Sequence, residues 1–118
     1  MKISMKRKVA IMKKTNYCCA FCGIGFDEAE FTIDHIVPRA KGGSNKDENL
    51  LAACRPCNTS KNSADIEIFK WRLGFNNSWL KGKIPFHSYR KCVELGLFEC
   101  QIPEYKFYYE TIGLELNA

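Results

Sequence analysis

The centre of this chain reads Asp34-His35-Ile36-Val37-Pro38-Arg39-Ala40-Lys41-Gly42-Gly43, with a Cys-x-x-Cys pair on each side of it. The two pairs are Cys19/Cys22 and Cys54/Cys57. Together they can supply four thiolates, the ligand set of a tetrahedral structural zinc site that keeps no open position. We therefore expect Zn²⁺ to bind these four cysteines and to hold the two ends of the central stretch together.

Seven cysteines are many for a chain of 118 residues. Two paired motifs without a signal peptide favour metal binding over disulfide bonds. Three alternatives stay open here, namely Cys18 in place of Cys19 if the first pair shifts by one residue, a redox dithiol, and an iron–sulfur cluster. The cysteines outside the pairs, Cys18, Cys92 and Cys100, are interpreted as small buried apolar residues.

The composition indicates a globular protein of one domain, with 46% hydrophobic and 13% aromatic residues. No apolar run reaches the length of a membrane-spanning helix, and the basic N-terminus lacks the apolar stretch of a signal peptide. We therefore expect no membrane association and a cytoplasmic location. The net charge is +5, and six of the 18 basic residues precede the first acidic residue, Asp27. This basic segment favours a phosphate backbone as partner, with a solvated tail as the alternative.

The pattern of apolar and turn residues predicts an α+β fold. We expect a helix over 5–14, a zinc knuckle over 17–25, a strand over 31–35, a strand over 50–53, and a helix that starts at Pro56. Beyond residue 64 the pattern is mainly helical, with segments over 64–73, 87–95 and 103–112 that are ended by Gly74, Gly96 and Gly113. We divide the chain into a module over 1–64 and a helical extension over 65–118 that packs on it, within one domain overall.

The central stretch and the helix after it hold the groups that phosphodiester hydrolysis requires. His35 can act as the general base, since a neutral imidazole is available near pH 7. Asp34 and Asn58 offer the hard oxygen ligands that Mg²⁺ or Mn²⁺ prefers. Adjacent residues of a regular strand point to opposite faces, so we expect the strand to end or distort at Asp34 and His35, with Pro38 just beyond.

These residues belong to motifs that resemble the HNH endonuclease family over residues 9–62. The motifs are Cys19-Ala20-Phe21-Cys22-Gly23, Asp34 to Gly43, Glu48-Asn49-Leu50, and Cys54-Arg55-Pro56-Cys57-Asn58-Thr59-Ser60-Lys61. The resemblance implies a ββα-metal (His-Me finger) core with one catalytic divalent ion. It implies His35 as the general base, Asn49 as the residue that orients the base and its loop, and Asn58 as a metal ligand beside Asp34. Asn58 in the last position makes this an H-N-N variant.

Four cations near these motifs could hold the phosphates of DNA, namely Arg39, Lys41, Arg55 and Lys61. An ordinary charged surface is the alternative for each. The predicted function is a metal-dependent HNH endonuclease that acts on DNA and leaves 5′-phosphate and 3′-hydroxyl ends, as the resemblance implies. The alternative is a non-catalytic, zinc-dependent DNA-binding module. A redox protein that uses the Cys-x-x-Cys pairs has no further support in the sequence.

Overall fold

The computed structural model describes residues 3–27, 29–97, 99 and 102–116. Its helices and strands are α1 Met5–Lys13, β1 Phe31–His35, β2 Leu50–Cys54, α2 Arg55–Lys61, α3 Ile66–Asn76, α4 Phe86–Glu94 and α5 Tyr108–Thr111. Short 3₁₀ helices lie at Arg39–Lys41 and Asp47–Asn49. This order of elements confirms the predicted α+β fold, in which a ββα core is followed by a mainly helical region. Within the described ranges, no helix combines the length and the apolarity that crossing a membrane requires.

The chain forms two compact units, which differ from the predicted division. One unit holds residues 1–66 together with 106–118, and the other holds residues 67–105. The change of unit after residue 66 is close to the predicted boundary. The return of the last segment to the first unit was not predicted. The division at residue 64 therefore stays a prediction, and the two units are described separately.

The strands β1 and β2 pair antiparallel, and they separate the polar residues of β1 onto two faces. In the register, Ile33 lies opposite Ala52 and Asp34 lies opposite Leu51. Side chains alternate along a strand, so Ile33 and Asp34 point to opposite faces. The face of Ile33 packs against α1, where Ile11, Leu50 and Ala52 form a buried cluster that Phe31 and Ile33 join. The other face, with Asp34, meets α2.

Both ends of helix α1 are stabilised by residues that lie there in the sequence. The Ser4 side chain accepts a hydrogen bond from the backbone N–H of Arg7 at 3.2 Å and caps the first turn. Lys13 lies in the last turn, where a positive charge interacts favourably with the negative end of the helix dipole. Ile11 is the buried residue of the helix and faces β2. The predicted helix over 5–14 is thus confirmed, with Lys14 as its C-terminal cap.

The predicted zinc knuckle over 17–25 contains a tight turn, which residues 107–109 cover. Gly23 has φ +83°, and a Cβ there would lie 3.0 Å from the ring of Tyr108. The backbone N–H of Tyr108 donates to the carbonyl oxygen of Phe21 at 3.0 Å, and that of Tyr109 donates to Ala20 at 2.9 Å. The Phe21 ring meets Phe107 edge-on at 5.0 Å. These contacts explain why residues 106–118 belong to the first unit.

In the second unit, α3 and α4 share a cluster of aromatic rings. Trp71 and Phe75 of α3 lie 5.2–6.3 Å, centroid to centroid, from Phe86 and Tyr89 of α4. The predicted end of α3 at Gly74 is wrong, because the helix continues to Asn76. Gly74 is buried, and a Cβ at this position would lie 3.0 Å from a carbonyl oxygen of the following segment. The glycine therefore permits a close backbone approach rather than a helix end.

The predicted helix over 103–112 is shorter in the structure, where α5 covers only Tyr108–Thr111. The Glu110 carboxylate accepts a hydrogen bond from the backbone N–H of Phe107 at 2.7 Å, which starts the helix at this point. The sequence signal of Pro103 placed the start too early. Of the unpaired cysteines, Cys18 and Cys92 are partly buried. Cys100 lies outside the described residues.

Candidate active site and metal centre

The two Cys-x-x-Cys pairs meet in one cluster. The ligand sulfurs of Cys19, Cys22, Cys54 and Cys57 all lie within 4.8 Å of one another. Cys22 Sγ and Cys54 Sγ are 3.7 Å apart. Four sulfurs around a zinc ion at about 2.3 Å would be separated by about 3.8 Å along each tetrahedral edge. The donor set therefore fits a metal ion such as zinc in size, in number and in ligand type.

The electrostatics of the cluster also fit a cation. The pKa of Cys19 is lowered to about 4, because its sulfur receives a hydrogen bond from the Cys57 thiol. The pKa of Cys57 is raised, since its thiol is the donor of that hydrogen bond. Burial raises the pKa of Cys22 to about 11. One thiolate is stabilised by thiols that keep their protons, and a divalent ion would be needed to stabilise all four as thiolates.

Two segments hold the cysteines in place. Cys19 and Cys22 belong to the knuckle, whose Ala20 N–H donates to the Ala52 carbonyl oxygen of β2 at 2.9 Å. Cys54 ends β2, and Cys57 lies in the first turns of α2. The alternative with Cys18 in the cluster is not supported, because Cys18 Sγ contacts the carbonyl oxygen of Asn16 at 3.5 Å instead.

The contact between β1 and α2 consists of two polar pairs, one beside the other. The Asn58 amide nitrogen donates to Thr32 Oγ1 at 3.0 Å. One turn further along α2, Lys61 Nζ lies 3.2 Å from Asp34 Oδ2. Because the amide nitrogen of Asn58 is held by Thr32, its amide oxygen remains for another partner. The predicted ligands Asp34 and Asn58 thus both belong to the interface between β1 and α2.

The Lys61 side chain is buried and binds groups of the protein itself, so it is not accessible for the predicted phosphate contact. Its side chain is 0% exposed, and Nζ donates to the backbone carbonyl oxygen of His35 at 2.9 Å. Asp34 Oδ2 lies within ion-pair distance of this ammonium but receives no well-aligned hydrogen bond. Burial raises the pKa of Asp34, and the charge of Lys61 opposes this effect only in part. The carboxylate therefore keeps a buried oxygen whose hydrogen-bonding capacity is not filled.

His35 is the last residue of β1, and its side chain belongs to the face opposite Asp34. The strand keeps its register up to the pair of His35 with Leu50 and then ends. The strand ends after His35, close to the predicted position, but it stays regular through both residues, so Asp34 and His35 remain on opposite faces. The His35 ring lines an open cavity of about 720 Å³ together with residues of α1 and β1, among them Lys8 and Ile33. Neither Asp34 nor Asn58 lines this cavity.

The loop between the strands is closed by Asn49. This buried side chain accepts a hydrogen bond from the backbone N–H of Val37 at 2.9 Å and donates to the carbonyl oxygens of Val37 and Ser44. Gly43 lies so close that a Cβ there would be 1.7 Å from the Val37 carbonyl oxygen. These contacts hold the loop in place, and the role of Asn49 in orienting the base stays a prediction. Its side chain has no hydrogen bond to the His35 ring among the described residues.

A residue that the sequence did not reveal holds the imidazole instead. His35 Nε2 lies 2.9 Å from the side-chain oxygen of Asn45. The loop of Asn45 is in turn bound by α1, where Arg7 Nη2 donates to the Asn45 carbonyl oxygen at 2.6 Å. An exposed asparagine in a polar loop gives no sequence signal of this contact.

Three of the four predicted phosphate contacts are at the surface. Lys41 pairs with Asp65 at 2.8 Å, and Arg55 lies 3.5 Å from Glu30 in a widely exposed pair. Arg39 is exposed at the start of a 3₁₀ helix. Exposed ion pairs are weak and exchange readily with other anions. Arg39, Lys41 and Arg55 are therefore accessible, whereas Lys61 is not.

Comparisons with known proteins agree with this geometry. Residues 19–70 match the family model of the HNH endonucleases. A CRISPR-associated endonuclease Cas9 of Corynebacterium diphtheriae is 41% identical over 59 residues, which are 49% of this chain and 5% of that protein. The Cas9 of Actinomyces naeslundii is 34% identical over 67 residues, which are 56% of this chain and 6% of that protein.

The crystal structure of the Type II-C Cas9 enzyme from Actinomyces naeslundii superposes with a TM-score of 0.50 and 30% sequence identity. The match covers 63% of this chain and 9% of that chain. The chain therefore spans less than a tenth of the length of these relatives. The matched segment, which carries the cysteine cluster and the polar residues of the ββα core, is therefore similar to the HNH endonucleases.

Proposed function

We propose that this protein is a metal-dependent endonuclease that hydrolyses phosphodiester bonds of DNA. The observation that carries the proposal is the placement of three groups around the end of β1, with the His35 side chain on one face of the strand and Asp34 and Asn58 on the other. Asp34 and His35 are the last two residues of β1, and Asn58 contacts the Asp34 face from α2. A phosphodiester at the end of β1 would have a base on one side and hard oxygen ligands on the other.

Asp34 and Asn58 are the residues that would hold the catalytic ion. The buried Asp34 oxygen that lacks an aligned hydrogen bond, and the free amide oxygen of Asn58, fit the preference of Mg²⁺ or Mn²⁺ for hard oxygen ligands. When bound, such an ion would neutralise charge on the phosphate and on the leaving 3′ oxygen. Lys61 favours the charged form of Asp34 and holds this side chain close to α2.

His35 would take a proton from the attacking water. Its Nε2 is held by the Asn45 side-chain oxygen, so the lone pair for this task is on Nδ1. The neighbouring backbone is fixed by Lys61, which donates to the His35 carbonyl oxygen. Attack by this water on the side opposite the leaving 3′ oxygen would leave a 5′-phosphate and a 3′-hydroxyl.

The cysteine cluster would hold a structural zinc ion, and DNA would be bound through accessible cations. Cys57 and Asn58 are neighbours in α2, so a metal at the cysteines would fix the helix that carries the catalytic ligand. Arg39, Lys41 and Arg55 are the surface residues that could contact phosphates. The relatives named endonuclease are much longer than this chain. The proposed activity therefore rests on the residues of this chain's own site. We propose an intracellular location for the reaction.

The test is cleavage of a supercoiled plasmid by the purified chain in a series of Mg²⁺, Mn²⁺, Ni²⁺ and Co²⁺. We expect nicked or linear product with Mg²⁺ or Mn²⁺, and its loss in His35→Ala. The matched control is His87→Ala, because His87 lies on α4 in the other unit. If the wild type binds the plasmid but cuts nothing with any of these ions, the non-catalytic DNA-binding module replaces this proposal.

A further inference from the structure

The hydrogen bond between His35 and Asn45 involves a residue outside the family motif. Asn45 is exposed, yet its side-chain oxygen lies 2.9 Å from His35 Nε2. No other hydrogen bond of the His35 ring is found among the described residues. The direction of the imidazole therefore depends on where the loop of residues 44–47 places Asn45.

Two basic residues bind this loop and the start of β2, namely Arg7 of α1 and Lys14 directly after α1. Arg7 Nη2 donates to the carbonyl oxygen of Asn45 at 2.6 Å, and Arg7 Nε donates to the Asp47 carboxylate at 2.9 Å. Lys14 Nζ donates to the carbonyl oxygens of Asp47 and Leu50 at 2.9 and 2.8 Å. A planar guanidinium that contacts two neighbouring groups fixes their relative position better than a single ammonium would.

We propose that Asn45 is a positioning residue for the general base, and that α1 fixes Asn45 through Arg7. An amide oxygen only accepts hydrogen bonds, so Asn45 selects the imidazole tautomer with its proton on Nε2. The lone pair is then on Nδ1, the nitrogen that would face the water. This inference rests on the proposed role of His35, whereas the tautomer itself does not depend on catalysis.

Two basic residues of α1, Arg7 and Lys13, then have different roles. Arg7 has a partly covered side chain with three contacts to the loop. Lys13 is exposed and has no side-chain partner in the described part of the chain. The sequence alone assigned both to a basic segment for DNA phosphates. The structure instead assigns Arg7 to the loop beside the base and leaves the Lys13 side chain exposed to solvent.

The first experiment reads the tautomer by long-range ¹H–¹⁵N NMR of the metal-loaded protein at about pH 8.5, where free imidazole is neutral. The chain has only two histidines, and His87→Ala assigns them. We expect wild-type His35 to carry its proton on Nε2. Asn45→Asp should keep this tautomer, because a carboxylate also accepts only, while Asn45→Ala should move both nitrogen shifts toward those of free imidazole.

A proton on Nδ1 in the wild type would overturn the inference. So would an Asn45→Ala spectrum in which the His35 signals are unchanged. Neither result would touch the proposed nuclease activity, which is measured separately. Conversely, an inactive wild type with the expected tautomer would contradict the proposed function and leave the positioning contact intact.

The second experiment compares Arg7→Ala with Lys13→Ala in plasmid cleavage. A small displacement of a catalytic group can cost about 10²-fold in rate. We expect Arg7→Ala to lower kcat by about 10- to 100-fold with KM within twofold, and to shift the His35 signals as Asn45→Ala does. Lys13→Ala should leave kcat and the His35 signals unchanged. If both variants raise KM equally with kcat unchanged, Arg7 is a phosphate contact and the inference is wrong.

Discussion

The cysteine cluster and the polar end of β1 differ in every respect that matters to a metal ion. The cluster offers four soft sulfur ligands and is closed, whereas Asp34 and Asn58 offer two hard oxygens and leave most of a coordination shell for water and phosphate. Yet Cys57 and Asn58 are adjacent in α2. One helix therefore connects the proposed structural site to the proposed catalytic one, so damage to the first should impair the second, whereas damage to the second should leave the first intact.

The largest effect is expected from Cys54→Ser or Cys57→Ser. Structural zinc in small domains contributes about 10–16 kcal/mol of apparent binding free energy, which exceeds the stability of most domains of this size. We expect loss of bound zinc by elemental analysis and loss of the cooperative thermal transition. Cys92→Ser, in the second unit, is the control and should retain both. A folded, zinc-free Cys57→Ser protein would contradict the structural role of the cluster.

His35→Ala should abolish activity without this structural damage. Loss of one general base costs about 10²–10⁴-fold in rate. Zinc content, thermal transition and DNA binding should equal those of the wild type, because the one hydrogen bond found for the His35 ring among the described residues goes to the exposed Asn45 side chain. Cleavage measured over a range of enzyme concentrations gives the ratio of rates. Near wild-type cleavage would remove His35 from the mechanism.

Lys61→Met tests the buried pair between β1 and α2. Removing one member of a buried ion pair costs about 3–5 kcal/mol, since the other charge is left without its partner. We expect a corresponding loss in the free energy of unfolding, measured with urea at pH 7. The double variant Asp34→Asn/Lys61→Met should recover much of this loss, because neither charge remains. Equal stability of the single and double variants would indicate that the unpaired Asp34 charge does not cause the loss.

The same variant gives a pH dependence with a defined sign. Burial raises the pKa of Asp34, and Lys61 lowers it in part. Without Lys61 the folded-state pKa should rise further, so the folded protein binds the proton more tightly than the unfolded chain does. The part of the Lys61→Met penalty that comes from the unpaired Asp34 charge should therefore be absent below the ordinary pKa of aspartate and appear as the pH rises through the folded pKa, whereas loss of the hydrogen bond to the His35 carbonyl oxygen costs the same at every pH. A penalty that grows toward acid pH would contradict this assignment.

Arg55→Ala should have the smallest effect. Its ion pair with Glu30 is long and widely exposed, so no measurable change in unfolding free energy is expected. If Arg55 contacts a DNA phosphate, the affinity should fall about equally for all sequences and the salt slope should decrease by about one. Glu30→Ala, which frees the same arginine, is the matched control and should not weaken binding.

Much of the core could be predicted because its signals are local. The spacing of the cysteine pairs, the apolar strand residues and Pro56 at the start of α2 indicated the ββα core. The burial of Lys61 could not be predicted, since its partner Asp34 lies far away in sequence. Asn45 looked like any polar loop residue. The pairing of Tyr108 and Tyr109 with the knuckle uses backbone groups, which every residue carries.

The most direct test of the two-metal account is to remove one ion without the other. Mild EDTA treatment of the zinc-loaded protein should stop plasmid cleavage while elemental analysis still finds about one zinc per chain, and added Mg²⁺ or Mn²⁺ should restore cleavage. The cysteine thiolates hold their ion tightly, whereas two oxygens do not. Cleavage that persists after EDTA while zinc remains, or that returns only when zinc itself is restored, would contradict a separate oxygen-bound catalytic ion at Asp34 and Asn58.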